Sequence, residues 1–131
     1  KSGLLTGNDY IVTYWRKNGS GTPSVNGATG TAIVTKNGWT LFKHQLAGIT
    51  SITINGSGYI DELRLYPASA NMLTNTYNPL IGVSSSCDAA NRISYYEYDA
   101  LGRLSLIRDQ DKNVLKKFCY NFQGQQEDCS N

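Results

Sequence analysis

The stretch YDALGRL at residues 98–104 decides the fold of this chain. An aspartate directly after a strand accepts a hydrogen bond from the backbone N–H two residues on, and so forms an Asx turn. A glycine three residues after the aspartate takes the left-handed conformation that closes such a turn. We therefore predict that Tyr98 ends a strand and that Asp99 and Gly102 form the turn leading into the next strand.

The same pattern recurs on both sides of this stretch. Tyr120 lies 22 residues after Tyr98. Gly124 keeps the same distance from Gly102, and Tyr77 lies 21 residues before Tyr98. Self-similarity at a period of about 20 to 50 residues indicates a supersecondary unit that stacks on copies of itself. The C-terminal half is therefore predicted to be a repeat.

Each period is predicted to contain a strand, a turn, a second strand and a turn. The second turn, residues 88–91, aligns with residues 110–113. Alternate aromatic residues near the strand ends are predicted to form a ladder that stacks between neighbouring hairpins; these residues are Tyr96, Tyr98, Phe118 and Tyr120. Because one hairpin cannot bury an aromatic face alone, the pattern predicts a solenoid or a spiralling shell.

The N-terminal half contains short apolar runs bounded by Asn-Gly and Gly-Ser clusters, which is typical of strands in a sandwich or barrel. Asn37 and Gly38 suit the two positive-φ positions of a type I′ turn, so a hairpin is predicted around them. The predicted strands are residues 10–15, 31–35, 39–43, 49–54 and 59–66. In the last of these, Leu63 and Leu65 are predicted to point inward together. Pro67, which has no N–H, is predicted to end the strand.

Two resemblances follow from these motifs. The residues 98–104 resemble the YD repeat of the RHS (rearrangement hotspot) and teneurin-like families, although Asn78 and Asn121 replace the aspartate in the flanking copies. The segment from Tyr10 to Pro67 resembles the later strands of a galactose-binding-like jelly roll, with about five of the roughly eight strands of such a sandwich. By the resemblance to the YD repeat, the repeat-turn residues are Tyr98, Asp99, Gly102, Arg103, Tyr120 and Gly124.

The expected fold is therefore all-β. Residues 1–67 are expected to form the C-terminal strands of a partial, antiparallel, jelly-roll-like β-sandwich. Residues 68–131 are expected to form about two YD-repeat β-hairpins with a short C-terminal tail. A partial sandwich leaves an edge and part of its core uncovered, which favours association with a neighbour.

The YD-repeat resemblance implies a secreted or cell-surface bacterial protein whose repeats wind a large β-shell, often around a toxic C-terminal cargo. The expected function is a non-catalytic structural module in the wall of that shell. Its expected partners are neighbouring repeats of the parent protein or further copies of itself. We find no region that would close such a shell by self-cleavage, so no cargo release is assigned. The alternative is a carbohydrate-binding module.

Composition argues against other classes of function. The net charge is only +2 and the basic residues form no stripe, so no nucleic-acid partner is expected. No apolar run approaches the ~18 residues that a membrane span needs. The chain begins with KSG rather than with Met or a signal peptide, so we expect a fragment of a longer protein.

Several residues are candidates for binding. Tyr14, Trp15, Trp39 and Tyr59 could stack against the apolar face of a sugar, but packing in or beside a core is favoured for each. Asp61, followed by Glu62, is a weak candidate for a structural calcium site, and a solvated strand face is the favoured alternative. No other cofactor is expected.

The remaining reactive side chains do not suggest catalysis. His44 is the only histidine, and it is predicted to be a surface strand residue. No Gly-x-Ser-x-Gly elbow or phosphate loop occurs, so no enzyme activity is predicted. The cysteines Cys87, Cys119 and Cys129 lack the spacing of zinc ligands. Cys119 and Cys129 could close a short loop in an oxidising compartment, or all three could be thiols.

Overall fold

The computed structural model describes residues 1–129 and divides into two compact units, Lys1–Ala70 and Asn71–Asn131. The division lies three residues after the boundary predicted at Pro67. Every regular element in the described residues is a β-strand, and the sheets are antiparallel, so the all-β prediction is confirmed. The described residues contain no helix that is long and apolar enough to cross a membrane.

The first unit is built on one four-stranded sheet. The strands of the whole unit are β1 (Tyr10–Lys17), β2 (Ser24–Val25), β3 (Thr31–Lys36), β4 (Trp39–Leu46), β5 (Ile54–Asn55) and β6 (Ile60–Pro67). The sheet has the order β3-β4-β1-β6, and β2 pairs separately with β5. The predicted hairpin joins β3 to β4, and its two turn residues, Asn37 and Gly38, have φ of 49° and 79°.

One face of this sheet carries the core. Tyr14 of β1 lies opposite Phe42 of β4, and the two rings stack with centroids 5.7 Å apart. Val12, Val25 and Ile52 complete the buried cluster. Burial of these side chains supplies the main stabilisation of the unit, because apolar area removed from water is the dominant favourable term in folding.

The strand predicted over residues 49–54 is wrong in most of its length. Only Ile54 and the residue after it form β5, while Ser51 makes an isolated bridge to Ser2. The apolar side chains of the segment cover the core instead, and Ile52 is buried. The amide of Asn26 fixes the backbone here, because its Oδ1 accepts the N–H of Thr53 at 2.8 Å.

The prediction that Leu63 and Leu65 point to the same side of β6 is supported, since both line one apolar groove with Val12, but Leu63 is not buried. Leu65 packs against the core, but Leu63 is 49% exposed. Glu62 has a φ of 51°, and the β1–β6 register shifts at this point. Leu63 therefore lies beside a β-bulge on an edge strand and lines an open apolar groove of about 330 Å³.

The second unit is a meander of hairpins. Its strands are β7 (Thr74–Asn78), β8 (Gly82–Cys87), β9 (Ile93–Tyr98), β10 (Leu104–Arg108), β11 (Val114–Lys117), β12 (Cys119–Tyr120) and β13 (Gln126–Glu127). A five-stranded sheet has the order β11-β10-β9-β8-β7, and β12 pairs with β13. Cys119 and Cys129 form a disulfide across this last hairpin, whereas Cys87 is buried and lies outside it.

Candidate functional site

The turn predicted at Asp99 is present, and the carboxylate of Asp99 binds donors on both sides of it. Oδ1 of Asp99 accepts the backbone N–H groups of Leu101 and Arg103, each at 2.9 Å. Oδ2 accepts Nε of Arg103 at 2.7 Å. Gly102 closes the turn with a φ of 76°. One carboxylate thus satisfies three donors and leaves Arg103 fixed at the start of the next strand.

The same turn occurs at three further places. The Asx side chain accepts the N–H groups two and four residues on in each case: Ala90 and Arg92 for Asp88, Asp111 and Asn113 for Asp109, and Gln123 and Gln125 for Asn121. The third residue after the Asx is left-handed in all four turns: Asn91, Gly102, Lys112 and Gly124. The repeating unit is therefore one strand followed by one Asx turn, which is half of the predicted period.

The predicted alignment of residues 88–91 with 110–113 is wrong by one residue. The structural equivalent of Asp88 is Asp109. The β10–β11 register shifts between Ile107 and Arg108, which places an extra residue, Leu115, in β11. Because this bulge lies between the turns at Asp109 and Asn121, Asn121 follows Asp99 by 22 residues, whereas Asp109 follows Asp88 by 21. An Asx followed four residues later by a hydrogen-bonding side chain was the sequence signal that could have found the turn at Asp109.

The turn carboxylates are held in their charged form. The backbone N–H of Arg92 is the main cause of the lowered pKa of Asp88, and the backbone N–H of Arg103 is the main cause of the lowered pKa of Asp99. Ion pairs with the same arginines add to this effect. These groups are consequently poor proton donors near neutral pH.

Tyrosine hydroxyls join hairpins that contain a tyrosine-Asx pair to the hairpin of this kind before them; these hairpins are β7–β8, β9–β10 and β12–β13. The hydroxyl of Tyr98 donates to the carbonyl of Val83, and the hydroxyl of Tyr120 donates to the carbonyl of Leu104, both at 2.8 Å. In addition, the guanidinium of Arg103 lies 4.4 Å from the centroid of the Tyr120 ring. Because Arg103 is also bound to Asp99, the turn of one hairpin is linked directly to the next hairpin.

The predicted aromatic ladder is wrong. Among the described residues, the stacked or tilted ring pairs are Tyr14 with Phe42 and Tyr14 with His44, both in the first unit. In the second unit β10 separates β9 from β11. Phe118 directly follows β11 and Tyr120 lies on β12, so these rings are about two strand spacings, roughly 10 Å, from those of Tyr96 and Tyr98 on β9, too far to stack. The hairpins are joined instead by the hydrogen bonds of the tyrosine hydroxyls and by the contact of Arg103 with the Tyr120 ring.

The four candidate sugar-binding aromatics do not form one surface. Tyr14 is fully buried on the core face, so it cannot belong to an exposed platform. Trp15, the next residue of β1, points to the opposite face because side chains alternate along a strand. Trp39 lies opposite Lys17 and so shares that face with Trp15. Tyr59 is 71% exposed.

The candidate calcium residues have other partners. Oδ1 of Asp61 accepts the backbone N–H of Glu62 at 2.8 Å. The carboxylate of Glu62 forms an ion pair with Arg64 at 3.3 Å. Nowhere in residues 1–129 do three His, Cys, Asp or Glu side chains come together in a way that could hold a metal ion.

The prediction that His44 is a surface residue is wrong. His44 lies opposite Val12 on the core face and is only 5% exposed. Its Nε2 lies 3.3 Å from the hydroxyl of Tyr14. A Cβ added to Gly30 would lie only 2.5 Å from the same nitrogen, so the backbone packs directly on the ring. This burial lowers the pKa of His44 below its ordinary value of 6.5.

The buried histidine predicts a pH-dependent stability. The unfolded chain binds a proton at His44 more readily than the folded chain does. The first unit is therefore expected to lose stability as the pH falls below about 6.5 and to level off below the folded-state pKa. Urea unfolding followed by tryptophan fluorescence at a pH of about 7.5 and about 5.5 measures this loss. An equal loss in His44→Gln would show that another group is responsible.

The site that emerges is therefore a set of turns and hairpin contacts. The predicted repeat-turn residues all take part: Tyr98, Asp99, Gly102, Arg103, Tyr120 and Gly124. Asp88 and Asp109 belong to the same set, although the sequence pattern did not identify them as Asx residues of this turn. No protein-family model matches the chain, and no curated protein matches it significantly in sequence.

Proposed function

We propose that this chain is a non-catalytic structural module of a large secreted or cell-surface bacterial protein of the YD-repeat type. The second unit would contribute hairpins to the wall of a β-shell, and its partners would be neighbouring repeats or further copies. The observation that carries this proposal is the contact from a tyrosine hydroxyl to the preceding hairpin, made once by Tyr98 and again by Tyr120. A contact that repeats along the chain is what a stacking protein requires.

The disulfide supports a location outside the cytoplasm. Cys119 and Cys129 are joined across the last hairpin. Disulfides of this structural kind form and persist in oxidising compartments such as the cell exterior.

The use of the polar side chains also favours a structural role. Asp88 and Asp99 each accept two backbone N–H groups and an arginine, so both oxygens of each carboxylate serve the turn. His44 is buried beside Tyr14 and cannot reach a substrate at the surface. A general acid or base needs hydrogen-bond access to the group that it protonates or deprotonates, and the buried His44 lacks it.

Replacement of Asp99 tests the structural proposal. Asp99→Ala leaves three donors unsatisfied and releases Arg103 from its position over Tyr120. We expect the second unit to melt at a clearly lower temperature, and hydrogen exchange to become faster in β8 and β9 as well as in β10, because the hairpins depend on one another.

Two matched variants control this experiment. Asp99→Asn keeps the Oδ1 acceptor, as Asn121 does in its own turn, so it should lose less stability than Asp99→Ala. Leu101→Ala changes an exposed side chain of the same turn and should have little effect. If exchange in Asp99→Ala accelerated only at the turn itself, the hairpins would be independent and the shell-wall proposal would fail.

Carbohydrate binding is the second candidate function. It is favoured by Trp15 and Trp39, which share the face of the four-stranded sheet opposite Tyr14. Glycan-array screening followed by titration would support this candidate if saturable binding were lost in Trp15→Ala or Trp39→Ala. Retention of the same affinity in both variants, or no saturable binding at all, would leave the structural proposal standing alone.

A further inference from the structure

The edge of the five-stranded sheet formed by β7 has no charged residue and no proline, the residues that normally protect an open edge. The long open edges of the described chain are β3, β6, β7 and β11. Charged side chains, proline or a bulge discourage pairing with another chain. Such residues occur on three of these edges: Lys36 on β3; Asp61, Glu62, Arg64 and Pro67 on β6; and Lys116 and Lys117 on β11. The sequence of β7, TNTYN, contains no charge and no proline, and the bulge in its pairing places the extra residue, Ser84, on β8 rather than on the edge strand.

Tyr77 on this edge lacks the contact that its equivalents make. Tyr98 and Tyr120 immediately precede an Asx residue, and their hydroxyls donate to the preceding hairpin. Tyr77 likewise immediately precedes Asn78, but no hairpin of the second unit precedes β7. Its side chain is 66% exposed, whereas Tyr98 and Tyr120 are half-buried. Tyr77 is therefore a third copy of the donor, positioned at the edge of the sheet.

The last hairpin carries the matching acceptor. In both internal contacts the carbonyl lies five residues after the Asx residue of the preceding turn. The equivalent positions are Val83 after Asn78, Leu104 after Asp99 and Gln126 after Asn121. Within residues 1–129 no tyrosine hydroxyl donates to the carbonyl of Gln126, which lies on β13. The disulfide holds this hairpin closed.

We infer that the β7 edge binds the last hairpin, residues 119–129, of a second copy of this chain. The Tyr77 hydroxyl of one copy donates to the Gln126 carbonyl of the other, and β7 adds to β13 as β9 adds to β8 within the chain. The contact joins different surfaces of the two copies, so it is head-to-tail and open-ended. This inference rests on the proposed stacking function and adds the surfaces through which copies meet.

Sedimentation velocity of the whole chain over a wide range of protein concentration tests this inference. We expect dimers at intermediate concentrations and larger species at higher ones, because a head-to-tail contact leaves both ends available. Reduction of the disulfide is expected to weaken association, because the acceptor strand β13 has only two residues and depends on that link.

Three variants locate the contact. Asn75→Lys places a charge on an exposed side chain of β7 and is expected to abolish association. Tyr77→Phe removes only the hydroxyl and is expected to weaken association about fivefold, the effect of one neutral hydrogen bond. Ile33→Lys puts the same charge on the exposed edge strand β3 and should leave association unchanged. Circular dichroism and thermal unfolding confirm that each variant folds.

Three results would overturn the inference. The first is a monomer at every concentration. The second is association whose strength is unchanged in both Asn75→Lys and Tyr77→Phe. The third is a dimer that never grows, since this would indicate symmetric pairing of β7 with β7. Each result leaves the Asp99 experiment unaffected, so a failure here is distinguishable from a failure of the proposed structural function.

Discussion

Tyr14→Ala is expected to destabilise the first unit by about 3–5 kcal/mol, the range for removal of a large buried aromatic side chain. Tyr14 is fully buried, stacks on Phe42 and places its hydroxyl within 3.3 Å of both His44 and the carbonyl of Pro23. The change removes packing and leaves His44 beside a cavity. Urea unfolding measures the loss through tryptophan fluorescence, since both tryptophans belong to this unit.

Two tyrosine variants separate the causes of this loss. Tyr14→Phe keeps the ring and should lose only about 1 kcal/mol, the net value of a buried hydrogen bond. Tyr59→Ala removes an exposed ring and should change stability by less than about 0.5 kcal/mol. Equal losses for Tyr14→Ala and Tyr59→Ala would show that the core is not centred on Tyr14.

The second large effect is expected from loss of the disulfide. Replacement of Cys119 and Cys129 by serine removes a link that closes a loop of 10 residues in sequence. The chain-entropy model gives such a link roughly 2–3 kcal/mol of stabilisation. The last hairpin, whose strands β12 and β13 have two residues each, is expected to open first. Hydrogen exchange of residues 119–127 measures this opening.

A reductant provides the control for the disulfide variant. Reduction of the natural chain should reproduce the faster exchange of the double serine variant, and the same reductant should not change the variant further. Unchanged protection of Tyr120 after reduction would contradict the expectation. In that case the hydrogen bond from Tyr120 to the Leu104 carbonyl would be sufficient to hold the hairpin.

Features set by local chemistry could be predicted from the sequence. The hairpin at Asn37 and Gly38 and the turn at Asp99 both depend on residues within one turn, namely positive-φ residues and a short acceptor side chain. The all-β class followed from the same signals. These predictions did not require knowing which side chains pack against each other in the fold.

Features set by distant contacts could not be predicted in the same way. Alternation along β4 divides its side chains between two faces, but it does not say which face is covered. The pattern therefore leaves the side of His44 undetermined, and its ring packs beside Tyr14 on the core face. The loop around Ile52 resembles a strand in composition, but its apolar side chains cover the core instead of extending a sheet.

Bulges were the other source of error. A single extra residue at Leu115 displaced the alignment that should have paired Asp88 with Asp109. A left-handed Glu62 likewise put Leu63 beside an irregular edge. Bulges depend on how two strands pair, and pairing is a property of the fold rather than of either segment alone.

The Asx turns divide their positions into two classes with different freedom to evolve. The first residue supplies the acceptor, and the fourth adopts the left-handed conformation. The two between them use only their backbone to build the turn, and the side chains of Leu101 and Phe122 are 77% and 97% exposed. Mutation can therefore diversify the rim of the sheet while its scaffold stays constant, which would suit these tips for grafted epitopes or for rapid antigenic change.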